Sequence, residues 1–172
     1  LGETQADFPK LVETIKKYYI SKIHFYGLVP HEGTLYADVL PPTADEQAWW
    51  IAQTRIAFPT LDIQCGIWSD RTDRISVLLR AGANSISKFQ AIKLFATKPA
   101  KEIEAQAKIG GRKFLGSLTT LPEININEID QFGFDTELTK NIKKKAEQYM
   151  KLMRRNMERP LSQEKIISIR TE

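Results

Sequence analysis

The stretch Leu61–Phe89, LDIQCGIWSDRTDRISVLLRAGANSISKF, decides the fold. Leu61 to Ile67 is apolar and bounded by turn residues, as a buried strand requires. Asp70 is placed to cap a helix carrying Ile75, Leu78 and Leu79, which Gly82 ends. Asn84 to Phe89 then returns as a second strand. A helix inserted between two strands lets them run parallel, the βαβ arrangement.

The same alternation continues outward. Upstream, Ile23 to Val29 (IHFYGLV) is a β-rich run ending at Pro30, followed by the turn-rich stretch His31 to Pro42 with Gly33. Thr43 and Glu46 form a capping box for the next helix, and Pro59 follows its end. An amphipathic helix precedes all of this, with Phe8, Leu11, Val12, Ile15, Tyr18 and Tyr19 at spacings of three and four. Downstream, Thr97-Lys98-Pro99 opens another helix that stops at Gly110-Gly111. Strand, loop and helix repeating within roughly 35 residues is the signature of parallel βα units. Three such strands and their helices are less than half of a closed eight-fold barrel. The expected fold class is therefore α/β, a partial (β/α) barrel of the TIM type over residues 1–111. Residues 112–172 read as a C-terminal extension. It holds a short β-like run (Phe114–Leu121), a polar loop (Asn125–Phe134) and a long basic helix (Asp135–Arg159). That helix carries an apolar stripe at Leu138, Ile142, Tyr149, Met153 and Met157, and weak alternation follows at Ile167 and Ile169.

Composition narrows the function. With 172 residues, 42% hydrophobic and 27% charged, the chain can bury a core. No apolar run approaches the ~18 residues of a membrane span, so no membrane role is expected. The single cysteine, Cys65, excludes an internal disulfide framework and fits a reducing, cytoplasmic setting. Two histidines, His24 and His31, cannot build a zinc site alone. Much of the +4 net charge lies in Lys140, Lys143, Lys144, Lys145, Lys151, Arg154, Arg155 and Arg159. A lysine-rich helix of this kind reads as a solvated face rather than a nucleic-acid surface. Leu1-Gly2-Glu3 reads as a βα loop that needs a strand before it, so the chain is expected to be part of a longer parent.

In parallel βα folds the chemistry gathers in loops after the carboxyl ends of the strands. Those loops carry Glu3, His31, Glu32, Thr34, Cys65, Asp70, Arg71, Lys88 and Lys93. Each also has a plain structural reading: Glu3 at a helix N-terminus, Thr34 as a turn hydroxyl, Asp70 as an N-cap, Cys65 as a small buried residue. There is no P-loop, no paired-cysteine metal signature and no Ser-His-Asp order.

Three segments, in order, resemble a known family. LGET (Leu1–Thr4) resembles the end of the GxIxGxxE motif of radical S-adenosylmethionine enzymes, and PHEGTLYAD (Pro30–Asp38) their GTPLAD-type loop. LRAGANSISKF (Leu79–Phe89) with KLFAT (Lys93–Thr97) resembles the last strand region of biotin synthase, and AGANSI is the most specific of the matches. The family is the biotin-synthase-like radical S-adenosylmethionine group, which includes lipoyl synthases of a related type. The resemblance covers about residues 1–110. It implies the last strands of a radical S-adenosylmethionine barrel, whose CxxxCxxC motif and [4Fe–4S] cluster lie in a missing N-terminal half. It further implies that Gly2, Glu3 and Val29 support the adenosyl end of the cofactor, and that Tyr26, Cys65 and Lys88 lie near the substrate. Tyr26 stands where biotin synthase has a substrate-contacting Asn, which argues against a dethiobiotin-like ureido ring. Where that enzyme presents an arginine to its sulfur-donating cluster, this chain has Ile67 or Ser69, with Cys65 close by as an expected ligand of an auxiliary iron–sulfur cluster. The implied parent abstracts hydrogen from a small-molecule or lipoyl-domain substrate, most directly for sulfur insertion. Its partner is the missing half-barrel or an equivalent chain, and this piece alone is expected to be inactive. The alternative is a non-catalytic half-barrel that docks on a separate cluster-bearing partner.

Overall fold

The computed structural model describes residues 2–158. They form a mixed α/β structure around a three-stranded parallel sheet in which order along the sheet equals order along the chain. The elements are α1 (Phe8–Lys17), β1 (Lys22–Tyr26), α2 (Ala44–Ala57), β2 (Asp62–Gly66), α3 (Ile75–Arg80), β3 (Ser85–Ser87), α4 (Lys98–Ile109) and α5 (Thr136–Met157). Two compact units result. One gathers the chain up to Phe89 with Ala105–Lys113, and the other gathers Gln90–Glu104 with the chain from Phe114 onward.

In the first unit, register places Lys22, His24 and Tyr26 of β1 beside Asp62, Gln64 and Gly66 of β2, with Ser85 and Ser87 of β3 next in line. Strand side chains alternate between faces, so the two faces separate cleanly. Ile63 and Cys65, both fully buried, share the face of Ile23 and Phe25. Helices supply its cover, with Ile15, Ile51, Ile75 and Leu78 all buried in this unit. Gln47 of α2 donates to the Phe25 carbonyl at 3.1 Å, and so fastens the helix to β1. The opposite face, with Lys22, His24 and Tyr26 exposed, has no such cover among the described residues. Among the described residues β1 and β3 each pair on one side only. No described helix is long and apolar enough to cross a membrane.

Local chemistry explains where elements start and stop. Thr43 and Glu46 form the expected capping box of α2, with Glu46 N–H donating to Thr43 Oγ1 at 3.1 Å and Thr43 N–H to the Glu46 carboxylate at 2.7 Å. These bonds favour the ionised carboxyl, so Glu46 is held below its ordinary range. Gly82, at φ +117, ends the α3 region in a conformation that side chains disfavour. Asp70 does not cap α3. The chain first makes a tight turn, Arg71 N–H to Trp68 O, then a 3-10 turn at Thr72–Arg74, so the helix begins only at Ile75. Asn84 lies just before β3 but is tied to β2 all the same: its N–H donates to Ile63 O at 2.7 Å, and its side chain accepts from Ile63 N–H at 2.9 Å and from Arg55.

In the second unit Phe95, Ala96, Met150 and Met153 form a buried cluster, with Ile92 and Leu121 packed against it. Asp135 caps α5 by accepting from Leu138 N–H at 2.8 Å. Of the expected α5 stripe, Met153 is buried, whereas Leu138, Tyr149 and Met157 are exposed. Ser117 to Thr120 does not form a strand. Glu104 captures Leu118 N–H at 2.6 Å and both the Ser117 and Thr119 hydroxyls, while Leu118 O accepts from Ala96 N–H. With Leu118 N–H and O both engaged by distant partners, and Thr119 and Thr120 N–H by Ser117 Oγ, the run forms no ladder. Burial acts to raise the Glu104 carboxyl, but the bonds from Thr119, Ser117 and Leu118 outweigh it and hold it below the ordinary range. Asn125–Phe134, read as loop, contains a 3-10 segment at Ile126–Phe132. Arg159, Ile167 and Ile169 lie outside the described residues.

Candidate functional site

The carboxyl ends of β1, β2 and β3 converge at Tyr26, Gly66 and Ser87, which stand side by side on the uncovered face. Tyr26 is the hub. Its ring lies over Gly66, so close that a Cβ added there would fall 1.8 Å from Cδ1. Glycine at position 66 is thus what lets the phenol lie flat on the sheet. The Tyr26 hydroxyl accepts from Ser87 Oγ at 3.4 Å and meets His24 Nδ1 at 2.8 Å. Which of the two donates in the Tyr26–His24 bond follows the imidazole tautomer.

Lys88 completes the group. Its backbone turns to φ +69, a left-handed conformation uncommon for a side-chain-bearing residue. Its ammonium lies 5.3 Å from the Tyr26 ring centroid and 5.8 Å from that of Trp68. Both rings attract the cation through their negative faces. Together they form an amphipathic patch with an aromatic floor, a lysine and a Ser–Tyr–His hydrogen-bond chain. Such a patch can hold a flat polar ligand and pass a proton between phenol and imidazole.

The sequence-derived candidates divide. Tyr26 and Lys88 come together, as just described. His24, Trp68 and Ser87 belong to the same group; alternation along β1 is the signal that puts His24 on the face of Tyr26. Cys65 does not join them: it shares the covered face with Ile63, and its thiol donates to Ser85 O at 3.5 Å. Burial pushes that thiol up to about 12, which keeps it protonated at neutral pH. In this structure Cys65 packs on the covered face, apart from Tyr26 and Lys88. Ile67 is fully buried. Gly2 and Glu3 are exposed just before the 3-10 turn Gln5–Asp7, and Val29 is exposed after β1. Thr34 is a turn hydroxyl, donating to His31 O at 2.8 Å. His31 Nδ1 meets Glu32 O at 2.9 Å, Asp70 is exposed, and Lys93 O accepts from Asn156 at 2.9 Å.

Two results are expected for Cys65. In the native chain it should resist a thiol reagent that labels the urea-unfolded chain at once, and Cys65→Ala should cost only about 1 kcal/mol of stability. Rapid stoichiometric labelling of the folded chain would contradict the burial.

No family model and no solved structure matches the chain. It is 32% identical over 166 residues to the "Uncharacterized protein MJ0597" of Methanocaldococcus jannaschii, a match covering 87% of this chain and 46% of that protein. The chain spans about half the length of the curated relative it matches.

Proposed function

We propose that this chain supplies the closing strands of a (β/α) barrel in a biotin-synthase-like radical S-adenosylmethionine enzyme, its uncovered sheet face lining the cofactor's adenosyl group and the substrate. One observation carries the reading: a parallel sheet, unpaired at both edges among the described residues, is helix-covered on one face and polar on the other. The LGET, GTLYAD and AGANSI resemblances and the greater length of the archaeal relative support it. Exposed apolar residues in the loop after β1, Val29, Leu35, Val39 and Leu40, fit a surface that a further part of the barrel would cover.

The described residues do not fit a cluster site. Among them no group of three or more His, Cys, Asp or Glu could hold a metal ion, and the one thiol is buried and protonated. In this reading the cluster ligands belong to the other half of the parent. The bound cofactor would supply the hydrogen-abstracting radical, and sulfur insertion is the proposed outcome. His24, Tyr26, Ser87 and Lys88 would orient the substrate and exclude water from it.

The test is anaerobic reconstitution of the full parent polypeptide and of this chain alone, followed by iron counting and assay of 5′-deoxyadenosine. The parent is expected to bind a [4Fe–4S] cluster and cleave S-adenosylmethionine, and the isolated chain to do neither. A stoichiometric cluster on this chain, or a reconstituted parent that forms no 5′-deoxyadenosine, would refute the reading. Cys65→Ala in the parent should leave both cofactor cleavage and product formation in place.

A further inference from the structure

Arg71 and Arg74 follow β2, and both reach across to the end of β1. Arg71 Nη1 donates to Leu28 O at 3.2 Å and Arg74 Nη1 to Pro42 O at 3.1 Å. The two nitrogens converge: both lie within 3.6 Å of the point where a Cβ on Gly27 would sit. Gly27 is buried and Arg71 and Arg74 are half-buried. The bonds that hold the two guanidinium groups run to backbone carbonyls, not to carboxylates. Arg74 Nε is buried and meets no acceptor.

Each guanidinium carries five N–H donors in a rigid fork, and the carbonyl contacts use only part of that supply. Carbonyl oxygens satisfy donors but do not neutralise charge. Two like charges brought together and withdrawn from water repel each other and lose solvation. Fastening the 27–43 loop would need one donor from each side chain and no second charge. The unused donors, the uncompensated charge and the orphaned Nε all call for the same thing, a negatively charged acceptor.

We propose that Arg71 and Arg74 form an oxyanion subsite at the carboxyl end of β1, taking a carboxylate or phosphate group of a small-molecule ligand. The fork geometry of arginine matches both groups. The inference stands on this charge cluster alone and does not depend on radical chemistry.

Titration of the chain with inorganic phosphate and, separately, with acetate at constant ionic strength tests it. The readout is the nuclear magnetic resonance shift of the Gly27 amide and the Arg74 Nε–H. Both signals are expected to move saturably, with one dissociation constant in about the millimolar range. The anion that binds tighter assigns the ligand as phosphorylated or carboxylated. Arg74→Gln should abolish the Gly27 response, and Lys145→Gln, on α5, should leave it unchanged. Gly27→Ala keeps both arginines and sets a methyl group 3.5 and 3.6 Å from their Nη1 atoms. It should weaken binding about tenfold while the chain stays folded, which guards against misfolding of the arginine variant. A linear, non-saturating response to both anions overturns the proposal. So does saturation that Gly27→Ala and Arg74→Gln leave unchanged.

Discussion

Replacing Arg55 with methionine should destabilise the chain by about 2–4 kcal/mol, among the largest losses expected from one substitution. Arg55 projects from the last turn of α2. Its Nε and Nη2 donate to Gly82 O at 3.1 and 2.9 Å, its Nη1 to Pro59 O at 2.8 Å and Phe58 O at 3.3 Å, and it also bonds the Asn84 side chain. One side chain therefore fastens the end of α2, the turn after α3 and, through Asn84, the backbone of β2. Methionine restores much of the apolar stem but leaves these acceptors without their donors, the costly direction of hydrogen-bond loss. Gly82 is closed to compensation, since a Cβ there would fall 2.8 Å from Arg55 Cγ and the backbone sits at φ +117. Urea unfolding of the two chains measures the difference, and a loss below about 1 kcal/mol would show that the network is ornamental.

Gly66→Ala is the second large effect, and it strikes the site rather than the core. The new methyl cannot coexist with the Tyr26 ring, whose Cδ1 and Cε1 would be 1.8 and 2.3 Å away. The phenol must swing off the sheet, breaking its contacts with His24 and Ser87 and removing one of the two rings beneath Lys88. A cost of about 1–3 kcal/mol is expected from overpacking. Adding Tyr26→Ala should return much of it, because the clash has a single partner, so the double-mutant cycle should be strongly non-additive. Additive losses would place the strain in the β2 backbone instead.

The elements readable in advance are those whose signals are local. Thr43 and Glu46 announce α2 by a bond between neighbours, and Gly82 and Gly110-Gly111 punctuate helices through their own backbone freedom. The Phe114–Leu121 run failed for a non-local reason: Glu104, in another element, takes the Leu118 N–H, and Leu118 O accepts from Ala96 N–H. At Cys65 the clue was present in the sequence. Counting in twos from Ile63 puts Cys65 on the apolar face and Gln64 on the open one. Its nearness to a strand end obscured this. Lys88 was legible in a loop after a strand and Tyr26 only through the family resemblance, and their meeting depends on a missing Cβ at Gly66 and a left-handed turn at Lys88. The guanidinium pair was half visible: Arg71 lay in a marked loop, while Arg74 had been assigned to a helix.

A sheet whose strand order repeats chain order grows as a row of bricks does. Each new βα unit settles against the previous one, and no segment has to thread behind another. A β1-β2-β3 array can therefore be lengthened at either side by gene duplication or fusion, or divided between two polypeptides, without altering any pairing already made. Parallel arrays of this kind are open to evolution by accretion, and that freedom follows from topology before any residue is chosen for chemistry.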